Sequence, residues 1–456
     1  MEQEKHFTNE RSITDYLDNE VKEYAISVVE ERAIPSIVDG FKPVQRKIAF
    51  TANKLAKSYI KTAALVGNVI SVGGYYKGDA SISAAVGCMT QDFAGSNNFP
   101  FLSGEGEFGK RLTPDGIAPA RYTKSKIHSN FAKFFGDSEL LEYVEQDGEL
   151  FEPRFYLPTI PTVLLNGVAG IAVGFATKIQ PYNVKDIIEN TKRALTGKAL
   201  KEMIPYHDGF AGTISKDADG SIIMRGIWRR VNSSTIEIVE LPVGMSRDKY
   251  VEHLNKLEDR GDIKSYDDLC KKEFKFIVYL KREDLAKWEE EGKVEQKFKL
   301  TQKLSENINL ISEKGKLIYF ESANDVIKHF VDFRLGVMTK RKEHFQTYYA
   351  EKNDHNRLKI AFIKAVLNTK IDFKKALTKD GLRQATAAML AKMNPSAESI
   401  ERLLGMPVYS MNEEEISNIE SKIVENQTQI EYYKNTSESD LFVKDISDLS
   451  SALRRS

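Results

Sequence analysis

The sequence predicts a multidomain α+β protein that includes a long antiparallel coiled coil. Three observations predict this class. A chain of 456 residues has room for about three domains of ordinary size. Residues 160–320 alternate strand-like and helix-like segments, which is typical of a mixed α/β domain. The last third carries two heptad seams that flank a segment of about fifty residues.

The first third of the chain predicts helices joined by glycine-rich turns. Ile13, Leu17, Val21 and Tyr24 recur at helical spacing, which predicts a helix. Pro35 follows these residues and is expected to end the helix, because a proline restricts the residue before it to extended backbone.

The segments that follow predict turns and then strands. Gly67–Gly78 and Gly104–Gly116 are rich in glycine and predict turns. Pro153–Pro181 alternates apolar runs with Pro and Gly, so we expect buried strands and turns there. Apolar, β-branched runs predict three further strands, at Thr235–Leu241, Phe274–Leu280 and Lys316–Phe320.

The two heptad seams predict long helices that pair with each other. The first has a 4-3-7-4 spacing, with Lys342 at the missing position, and comprises Val331, Leu335, Met338, Phe345 and Tyr349. The second has one polar position, which can set the register, and comprises Ile416, Ile419, Ile423, Asn426, Ile430 and Tyr433. Asn412 with Glu415 resembles a capping box, and Met411 with Ile416 suits a hydrophobic staple. The simplest geometry is an antiparallel pair carrying a small helical domain at its tip, and an ordinary helical bundle is the alternative.

Composition excludes several classes of protein. The 66 basic and 66 acidic residues give a net charge of zero, which argues against a protein that simply coats nucleic acid. Cys88 and Cys270 lie far apart, so neither a disulfide framework nor a cysteine-based zinc site is expected. The polar N-terminus does not resemble a signal peptide. The longest apolar run, Val163–Thr177, is shorter than the ~20 residues that cross a bilayer, and we expect no membrane partner.

Charge is segregated along the chain despite the balanced total. Arg32–Lys61 holds seven basic residues against one acid, and Lys110–Lys126 holds five against one. Asp137–Glu152 holds seven acids and no base. The two basic blocks are therefore candidates for contact with phosphates. A solvated helix face is the alternative interpretation of either block.

The sequence shows no complete nucleotide-binding or metal-binding motif. Gly104–Arg111 (GEGEFGKR) approaches a phosphate-binding loop, but Arg111 stands where magnesium coordination needs Ser or Thr. The lysine, H-R-D and D-F-G elements of a kinase are absent from the sequence. No two of the seven histidines have the H-x-x-x-H spacing of a zinc site. Asp217 and Asp219 precede Gly220 in a polar stretch and predict a hairpin turn.

Tyr122 is a candidate nucleophile because of its neighbours. Arg121 precedes it, and Lys124 and Lys126 follow. A phenol ionises only near pH ~10, so a nucleophilic tyrosine needs nearby cations that favour the phenolate. The same cations would stabilise a pentavalent phosphoryl transition state. The alternative is a tyrosine half-buried in a basic helix.

Six motifs follow one another along the chain: Arg32–Lys47 (RAIPSIVDGFKPVQRK), Gly74–Asp79 (GYYKGD), Leu102–Gly109 (LSGEGEFG), Ala118–Thr123 (APARYT), Pro158–Asn183 and Leu403–Ser410 (LLGMPVYS). In this order they resemble the motifs of the DNA breakage–reunion subunit of type IIA topoisomerases. The fourth resembles the family's box around its nucleophilic tyrosine. The resemblance extends over residues 13–435.

The resemblance implies a domain organisation. It comprises an N-terminal helical arm over residues 1–30, a winged-helix breakage–reunion domain (the DNA gate) over 31–156, and an α/β tower domain over 157–323. Residues 324–456 would form the coiled coil, with a helical C-gate dimerisation domain at about 361–411.

The resemblance also assigns roles to single residues. Tyr122 would attack a DNA phosphate and form a 5′-phosphotyrosyl link, and Arg121 would stabilise the transition state. Asp39 would orient a group of basic side chains near the DNA, and Ile171 would wedge between base pairs and bend the duplex. The implied DNA-binding residues are Arg32, Lys42, Arg46, Lys47, Lys77 and Ile171.

The sequence departs from the family pattern in two motifs. Lys77 stands where the family has a histidine, so it can contact phosphate but cannot exchange protons near neutral pH as a histidine does. Glu105 and Glu107 stand where the family commonly has Gln and Asn. Both acids lie in the loop that precedes the tyrosine box.

The resemblance implies an ATP-dependent enzyme that works with partners. The chain would cleave both strands of a duplex transiently, pass a second duplex through the break and reseal it. It would form a homodimer and bind a large subunit that carries the ATPase and Toprim domains. That partner would hold Mg²⁺ and hydrolyse ATP, and this chain would bind neither. The chain resembles the medium subunit of T-even-type phage topoisomerases, which implies the cytoplasm of an infected bacterium. A DNA-bending scaffold that does not cut DNA is the alternative.

Overall fold

The computed structural model describes residues 12–146, 148–368 and 378–454. The chain divides into two compact units. One comprises the residues up to Phe333 together with those from Asp445 onward, and the other comprises Arg334–Lys444. The expected domain boundaries stay predictions, and residues 369–377 of the expected C-gate domain lie outside the described part. None of the helices in the described residues is both long and apolar enough to cross a membrane.

The N-terminal helix predicted from its periodicity is present. Helices α1 (Ile13–Tyr16) and α2 (Lys22–Val28) alternate with two π-helical turns, Leu17–Val21 and Val29–Ala33, so that the segment is helical throughout. It ends at Ile34, whose backbone is extended, directly before the proline that restricts it. The large side chains that define this periodicity are mostly exposed within this chain.

Three helices and a small antiparallel sheet follow the N-terminal helix. The helices are α3 (Pro43–Leu55), α4 (Thr62–Ser71) and α5 (Asp79–Thr90). The sheet has the order β1-β3-β2 and comprises β1 (Ile60–Lys61), β2 (Leu102–Glu105) and β3 (Lys124–Ile127). Helix α3 begins at Pro43, because a proline has no N–H to leave unsatisfied in the first turn. It buries Ile48, Ala49 and Ala52 along one face.

The first glycine-rich turn begins later than the sequence predicts. The expected turn started at Gly67, but Gly67 lies inside α4, and the chain turns only after Ser71. Leu65, Val66 and Val69 are buried on the same helix, and this apolar face outweighs the weak helix propensity of one glycine. The prediction was therefore wrong for residues 67–71.

An aromatic cluster fills the core beside α3. The rings of Phe41, Phe101, Phe131, Phe135 and Tyr156 lie 4.7 to 6.4 Å apart between centroids. Short elements surround it: α6 (Ser129–Phe134), β4 (Phe135–Gly136), β5 (Tyr143–Gln146), β6 (Glu149–Pro153), β7 (Leu157–Pro158) and α7 (Val163–Asn166). The antiparallel hairpin of β8 (Val168–Ile171) and β9 (Ala176–Ile179) follows. Apart from α7, strands and turns are present over residues 153–181, but the expected burial was wrong for β8 and β9, because one face of this two-stranded hairpin is left uncovered.

The next part of the chain is mixed α/β, as predicted. Its helices are α8 (Val184–Leu195), α9 (Arg247–Asp259), α10 (Arg282–Glu290) and α11 (Val294–Lys297). Its strands are β10 (Thr213–Lys216), β11 (Ile222–Arg225), β12 (Ile227–Asn232), β13 (Thr235–Glu240), β14 (Ser265–Asp268), β15 (Phe276–Tyr279), β16 (Thr301–Leu304), β17 (Ile308–Ile311) and β18 (Leu317–Phe320). They form sheets of order β10-β11-β16, β12-β13-β15-β14 and β17-β18. The three strands predicted from β-branched runs are confirmed, and residues 217–220 form the expected hairpin turn between β10 and β11.

Two long helices carry the heptad seams. They are α12 (Ala323–Leu367) and α15 (Glu413–Asn435), separated by α13 (Lys379–Met389) and α14 (Ala397–Leu404), and α16 (Glu438–Arg454) follows them. The rings of Phe345 and Tyr433 stack 5.0 Å apart, and the Asn426 amide donates to Asn353 Oδ1 at 2.9 Å. Residue numbers rise along one helix as they fall along the other, so the antiparallel pairing is confirmed. The N-cap is confirmed too, because the Glu415 N–H donates to Asn412 Oδ1 at 2.8 Å.

The paired asparagines generate a prediction about stability. Asn426→Leu leaves the Asn353 amide without this partner at a position 2% exposed, so we expect a loss of about 1–3 kcal/mol and a lower melting temperature. Replacing both residues by Leu removes both polar groups and should recover most of the loss. Calorimetry checks this, with Gln427→Leu at a more exposed position as control. A double variant less stable than the single variant would contradict the interpretation.

Candidate functional site

Tyr122 lies in a turn directly before β3, with its side chain in the open. The residue is 66% exposed, and its backbone N–H donates to the Pro119 carbonyl at 2.9 Å. The Arg121 guanidinium carbon lies 4.7 Å from the centroid of the Tyr122 ring. The alternative interpretation, a tyrosine half-buried in a basic helix, is therefore wrong. The phenol is free to meet a large substrate while a cation lies over its ring.

The backbone beside the tyrosine is held by a chain of buried hydroxyl groups. The Thr62 N–H donates to the Thr123 carbonyl at 3.0 Å, which joins the start of α4 to the tyrosine turn. The Thr123 hydroxyl donates to Thr62 Oγ1 at 2.9 Å, and the Thr62 and Ser125 hydroxyls lie 2.8 Å apart. All three side chains are buried. Buried hydrogen bonds thus fix the backbone of the turn, while the Tyr122 side chain is exposed to solvent.

The other cations of this basic block are partly neutralised. Lys124 Nζ lies 2.8 Å from Glu105 Oε2, and this hydrogen bond raises the pKa of Lys124. Lys110 pairs with Glu107 at 2.6 Å. The two acids that depart from the family pattern therefore bind lysines of the same surface. Arg121 has no carboxylate partner among the described residues, so its charge remains available to an incoming anion.

Asp39 and Arg46 form a buried ion pair at the start of α3. Arg46 Nε lies 2.6 Å from Asp39 Oδ2, and the Arg46 NH2 group donates to Oδ1 at 2.9 Å. The carboxylate also accepts the backbone N–H groups of Phe41 and Tyr156, at 3.1 and 3.0 Å. Arg46 is 8% exposed, so its guanidinium faces the interior. Its predicted contact with phosphate stays a prediction, and the geometry favours a supporting role for the pair.

Lys42 and Arg32 lie beside the hairpin that carries Ile171. Lys42 Nζ donates to the Ala169 carbonyl of β8 at 2.7 Å, and burial lowers the pKa of this lysine. A Cβ atom on Gly170 would lie 2.1 Å from the Ala33 carbonyl, so β8 packs closely against the residue that follows Arg32. Ile171 is 88% exposed at the end of this strand. The structure thus brings Lys42 and the backbone next to Arg32 to the base of the predicted wedge.

The other side of this hairpin is fastened by residues that no sequence motif predicted. The Asn307 and Asn309 amides both donate to the Ala176 carbonyl, at 2.8 and 2.7 Å. Glu306 accepts from the Gln180 N–H at 2.9 Å and from the Tyr182 hydroxyl at 2.7 Å. Burial raises the pKa of Glu306 despite these bonds. Nothing in the local sequence marks these residues, because their partners lie more than a hundred positions away.

Lys47 and Lys77 are both paired with carboxylates. Lys47 Nζ donates to the Gly73 carbonyl at 2.8 Å and to Glu152 Oε2 at 2.7 Å, and its side chain is 15% exposed. Lys77 pairs with Glu31 on the surface, and the hydrogen bond between them lowers the pKa of Glu31. Each lysine would have to exchange or share its partner to contact a phosphate. Their DNA-binding roles stay predictions.

The predicted residues therefore form two groups. Arg121 and Tyr122 lie on the turn before β3, whereas Arg32, Lys42 and Ile171 lie at the β8–β9 hairpin. In residues 12–146, 148–368 and 378–454, no hydrogen bond or ion pair joins one group directly to the other.

Comparisons with known proteins identify relatives of this arrangement. A family model that describes the A subunit of DNA gyrase/topoisomerase IV matches residues 32–448. The DNA topoisomerase medium subunit of Enterobacteria phage T4 is 34% identical over 97% of this chain and 99% of its own. DNA topoisomerase 2 of Arabidopsis thaliana is 35% identical over 85% of this chain, which spans only 27% of the plant protein.

A solved structure resembles the whole described fold. The topoisomerase II DNA-binding, cleavage and re-ligation domain of Plasmodium falciparum aligns with a TM-score of 0.87 and 28% sequence identity. The match covers 97% of this chain and 64% of that one.

The buried carboxylate at the hairpin generates a pH prediction. Because the folded protein raises the pKa of Glu306, the unfolded chain loses this proton first as the pH rises. Glu306 therefore stabilises the fold less at pH 7 than at pH 4. Glu306→Gln does not titrate, so the difference in melting temperature, variant minus wild type, should increase from pH 4 to pH 7. Calorimetry at both values checks this, and a difference that decreases would contradict the assignment.

Proposed function

Because the chain belongs to the family of DNA gyrase/topoisomerase IV A subunits, we propose that it cleaves and reseals both strands of a DNA duplex within a type IIA topoisomerase. One observation carries the proposal: an exposed tyrosine lies beneath an arginine on a turn whose backbone is fixed. A nucleophile for a duplex must be exposed, because the substrate is too large for a closed pocket. It must also be held in place, because displacements of about 1 Å cost ~100-fold in rate.

The proposed reaction is a transesterification at phosphorus. Tyr122 Oη attacks the phosphate and loses its proton to solvent, and the bond from phosphorus to the 3′ oxygen breaks. The 3′ oxygen takes a proton from solvent, and the 5′ end stays bonded to the tyrosine. One phosphoester bond replaces another, so resealing is the reverse step and needs no ATP. Arg121 stabilises the extra negative charge of the pentavalent transition state.

The hairpin group bends the segment that is cut. Ile171 inserts between base pairs, as exposed apolar wedges do in DNA-bending proteins. Arg32 and Lys42 neutralise phosphates at the base of the wedge. The Asp39–Arg46 pair positions the start of α3 beneath them. In this assignment α3 to α5 with their sheet form the winged-helix DNA gate, and residues 157–323 form the tower.

The chain acts with partners. Two copies form the gate, and the helices between α12 and α15 supply the dimer contact of the C-gate. By analogy with type IIA topoisomerases, we propose that Mg²⁺ and ATP are bound by a large ATPase and Toprim subunit. By analogy with the phage relative, the complex would act in the cytoplasm of an infected bacterium.

The decisive test replaces the nucleophile. Tyr122→Phe keeps the ring and removes the hydroxyl, so cleavage should be abolished while DNA affinity stays within about threefold. Supercoiled DNA is mixed with the chain, Mg²⁺ and the large subunit, quenched with denaturant, and assayed for protein bound to 5′ ends. Tyr319→Phe, at another exposed tyrosine that lies outside the six motifs, is the control and should cleave normally.

The same test separates the two candidate functions. A scaffold that only bends DNA would leave no covalent protein on either end, with wild type or variant. Covalent attachment that persists in Tyr122→Phe would show that another residue of the chain is the nucleophile.

The wedge generates a second prediction. Ile171→Ala removes three carbon atoms that would be buried between bases, at a cost of about 2 kcal/mol. The ratio of bent to straight DNA should fall ~30-fold. Fluorescence transfer between the ends of a duplex measures bending, and Val173→Ala on the same hairpin turn is the control. Equal bending by wild type and Ile171→Ala would show that Ile171 does not bend the DNA.

A further inference from the structure

Arg111 lies eleven positions before Tyr122, in the loop between β2 and β3 (residues 106–123, here the tyrosine loop). It ties this loop to the four-stranded sheet. We infer that Arg111 is a positioning residue for DNA cleavage: it locks the segment that leads to Tyr122 onto the lobe formed by β12 to β15. This inference rests on the proposed function of Tyr122. It gives a role to a side chain that the phosphate-loop interpretation of GEGEFGKR could not explain.

The Arg111 guanidinium bonds the chain that leaves β13. One terminal nitrogen donates to Glu240 Oε1 at 3.1 Å and to the Leu241 carbonyl at 2.6 Å, and the other donates to the Met245 carbonyl at 3.0 Å. The guanidinium carbon lies 4.8 Å from the centroid of the Phe274 ring. The side chain is 15% exposed. Several bonds in a planar fork hold one geometry far better than a single ammonium would.

The neighbouring leucine adds an apolar anchor. Leu112 is 8% exposed and belongs to the core cluster of the sheet, together with Ile236 and Ile238. Its carbonyl accepts the Arg247 N–H at the start of α9, at 2.9 Å. The anchor therefore combines a buried ion pair with a side chain that is part of the core of another lobe.

Hydrogen bonds on both sides of the anchor stiffen the tyrosine loop. The Gln91 amide donates to the Phe108 and Pro114 carbonyls, at 2.9 and 3.0 Å. Lys110 and Thr113 exchange two backbone hydrogen bonds, at 3.1 and 3.0 Å. Further along, the Ala118 N–H donates to the Glu107 carbonyl at 2.9 Å. A displacement of the anchor is thus passed along a bonded loop rather than absorbed by a flexible one.

The far end of the loop is held by the hydroxyl chain at Thr62 and Thr123. The tyrosine turn therefore lies between two fixed points, one in the DNA gate and one in the sheet lobe. Loss of the Arg111 side chain weakens the fixed point in the sheet lobe and leaves Glu240 buried without its cation. Because Arg111 faces the sheet and not the surface, the change should affect the geometry of attack rather than the affinity for DNA.

The test measures cleavage at saturating DNA, DNA affinity and melting temperature in the chain with its large subunit. We expect Arg111→Ala to slow cleavage about 10- to 100-fold, with a dissociation constant within about threefold of wild type. Arg111→Lys should restore part of the rate, and millimolar methylguanidinium should restore part of it in Arg111→Ala. Glu240→Gln keeps the shape of the side chain and removes its charge, so it should slow cleavage less than Arg111→Ala does.

Arg225→Ala is the matched control. Arg225 pairs with Asp217 at 2.7 Å in the sheet that contains β11, and it does not contact the tyrosine loop. It should lower the melting temperature without slowing cleavage. If Arg225→Ala slows cleavage as much as Arg111→Ala, or if neither rescue raises the rate, Arg111 is only a stabilising residue. If Arg111→Ala fails to fold, Arg111→Lys and Glu240→Gln decide by the same readouts.

Tyr122→Phe, measured in parallel, tests the role of Tyr122 as nucleophile separately from the positioning role of Arg111. If this variant still cleaves, the proposed function of Tyr122 fails. If it is inactive while Arg111→Ala cleaves at the wild-type rate, only the positioning role is overturned.

Discussion

The buried Asp39–Arg46 pair is the interaction on which the surrounding core and the hairpin depend. Asp39 receives the Arg46 guanidinium and two backbone N–H groups, and its own carbonyl accepts the Thr162 hydroxyl at 2.8 Å. Next to it, Gly40 has a φ of +69°, and a Cβ atom there would lie 2.7 Å from the Val163 backbone nitrogen. The pair thus joins the entry to α3 with the segment that leads to β8. Removing one partner of such a pair costs about 3–5 kcal/mol, because the other charge stays buried.

A common arrangement recurs at both surface groups. Tyr122 and Ile171 are among the most exposed large side chains, yet the backbone beneath each is held by buried hydrogen bonds. The hydroxyl groups of Thr62 and Thr123 hold the first, and Asn307 and Asn309 hold the second. Exposure of an apolar side chain costs free energy in the unbound protein. A ligand that covers the side chain recovers this cost. The fixed backbone keeps the side chain exposed until then, because it prevents the side chain from folding back onto the protein surface.

Ion pairs with carboxylates neutralise several of the basic side chains on this surface. Lys47, Lys77 and Lys124 each pair with a carboxylate that lies far away in sequence or in another element. Arg32 and Arg121 have no carboxylate partner among the residues that the structure describes. Two of the cations without a carboxylate partner therefore lie next to the tyrosine and beside the hairpin that carries Ile171. Cations without a carboxylate partner are the ones most available to a polyanion.

Features with a local physical cause could be read from the sequence alone. The seams of α12 and α15, the Asn412 cap and the alternation in β13 all follow from residues within a few positions of one another, where helix and strand periodicity act. The tyrosine with its preceding arginine was recognised from a contiguous motif. The burial of Arg46, the anchoring of Ile171 and the lock at Arg111 were decided only by tertiary structure. Their partners are non-local in nearly every case, up to 134 positions away for Arg111 and Met245, and no local rule states which distant carboxylate or carbonyl a guanidinium will meet.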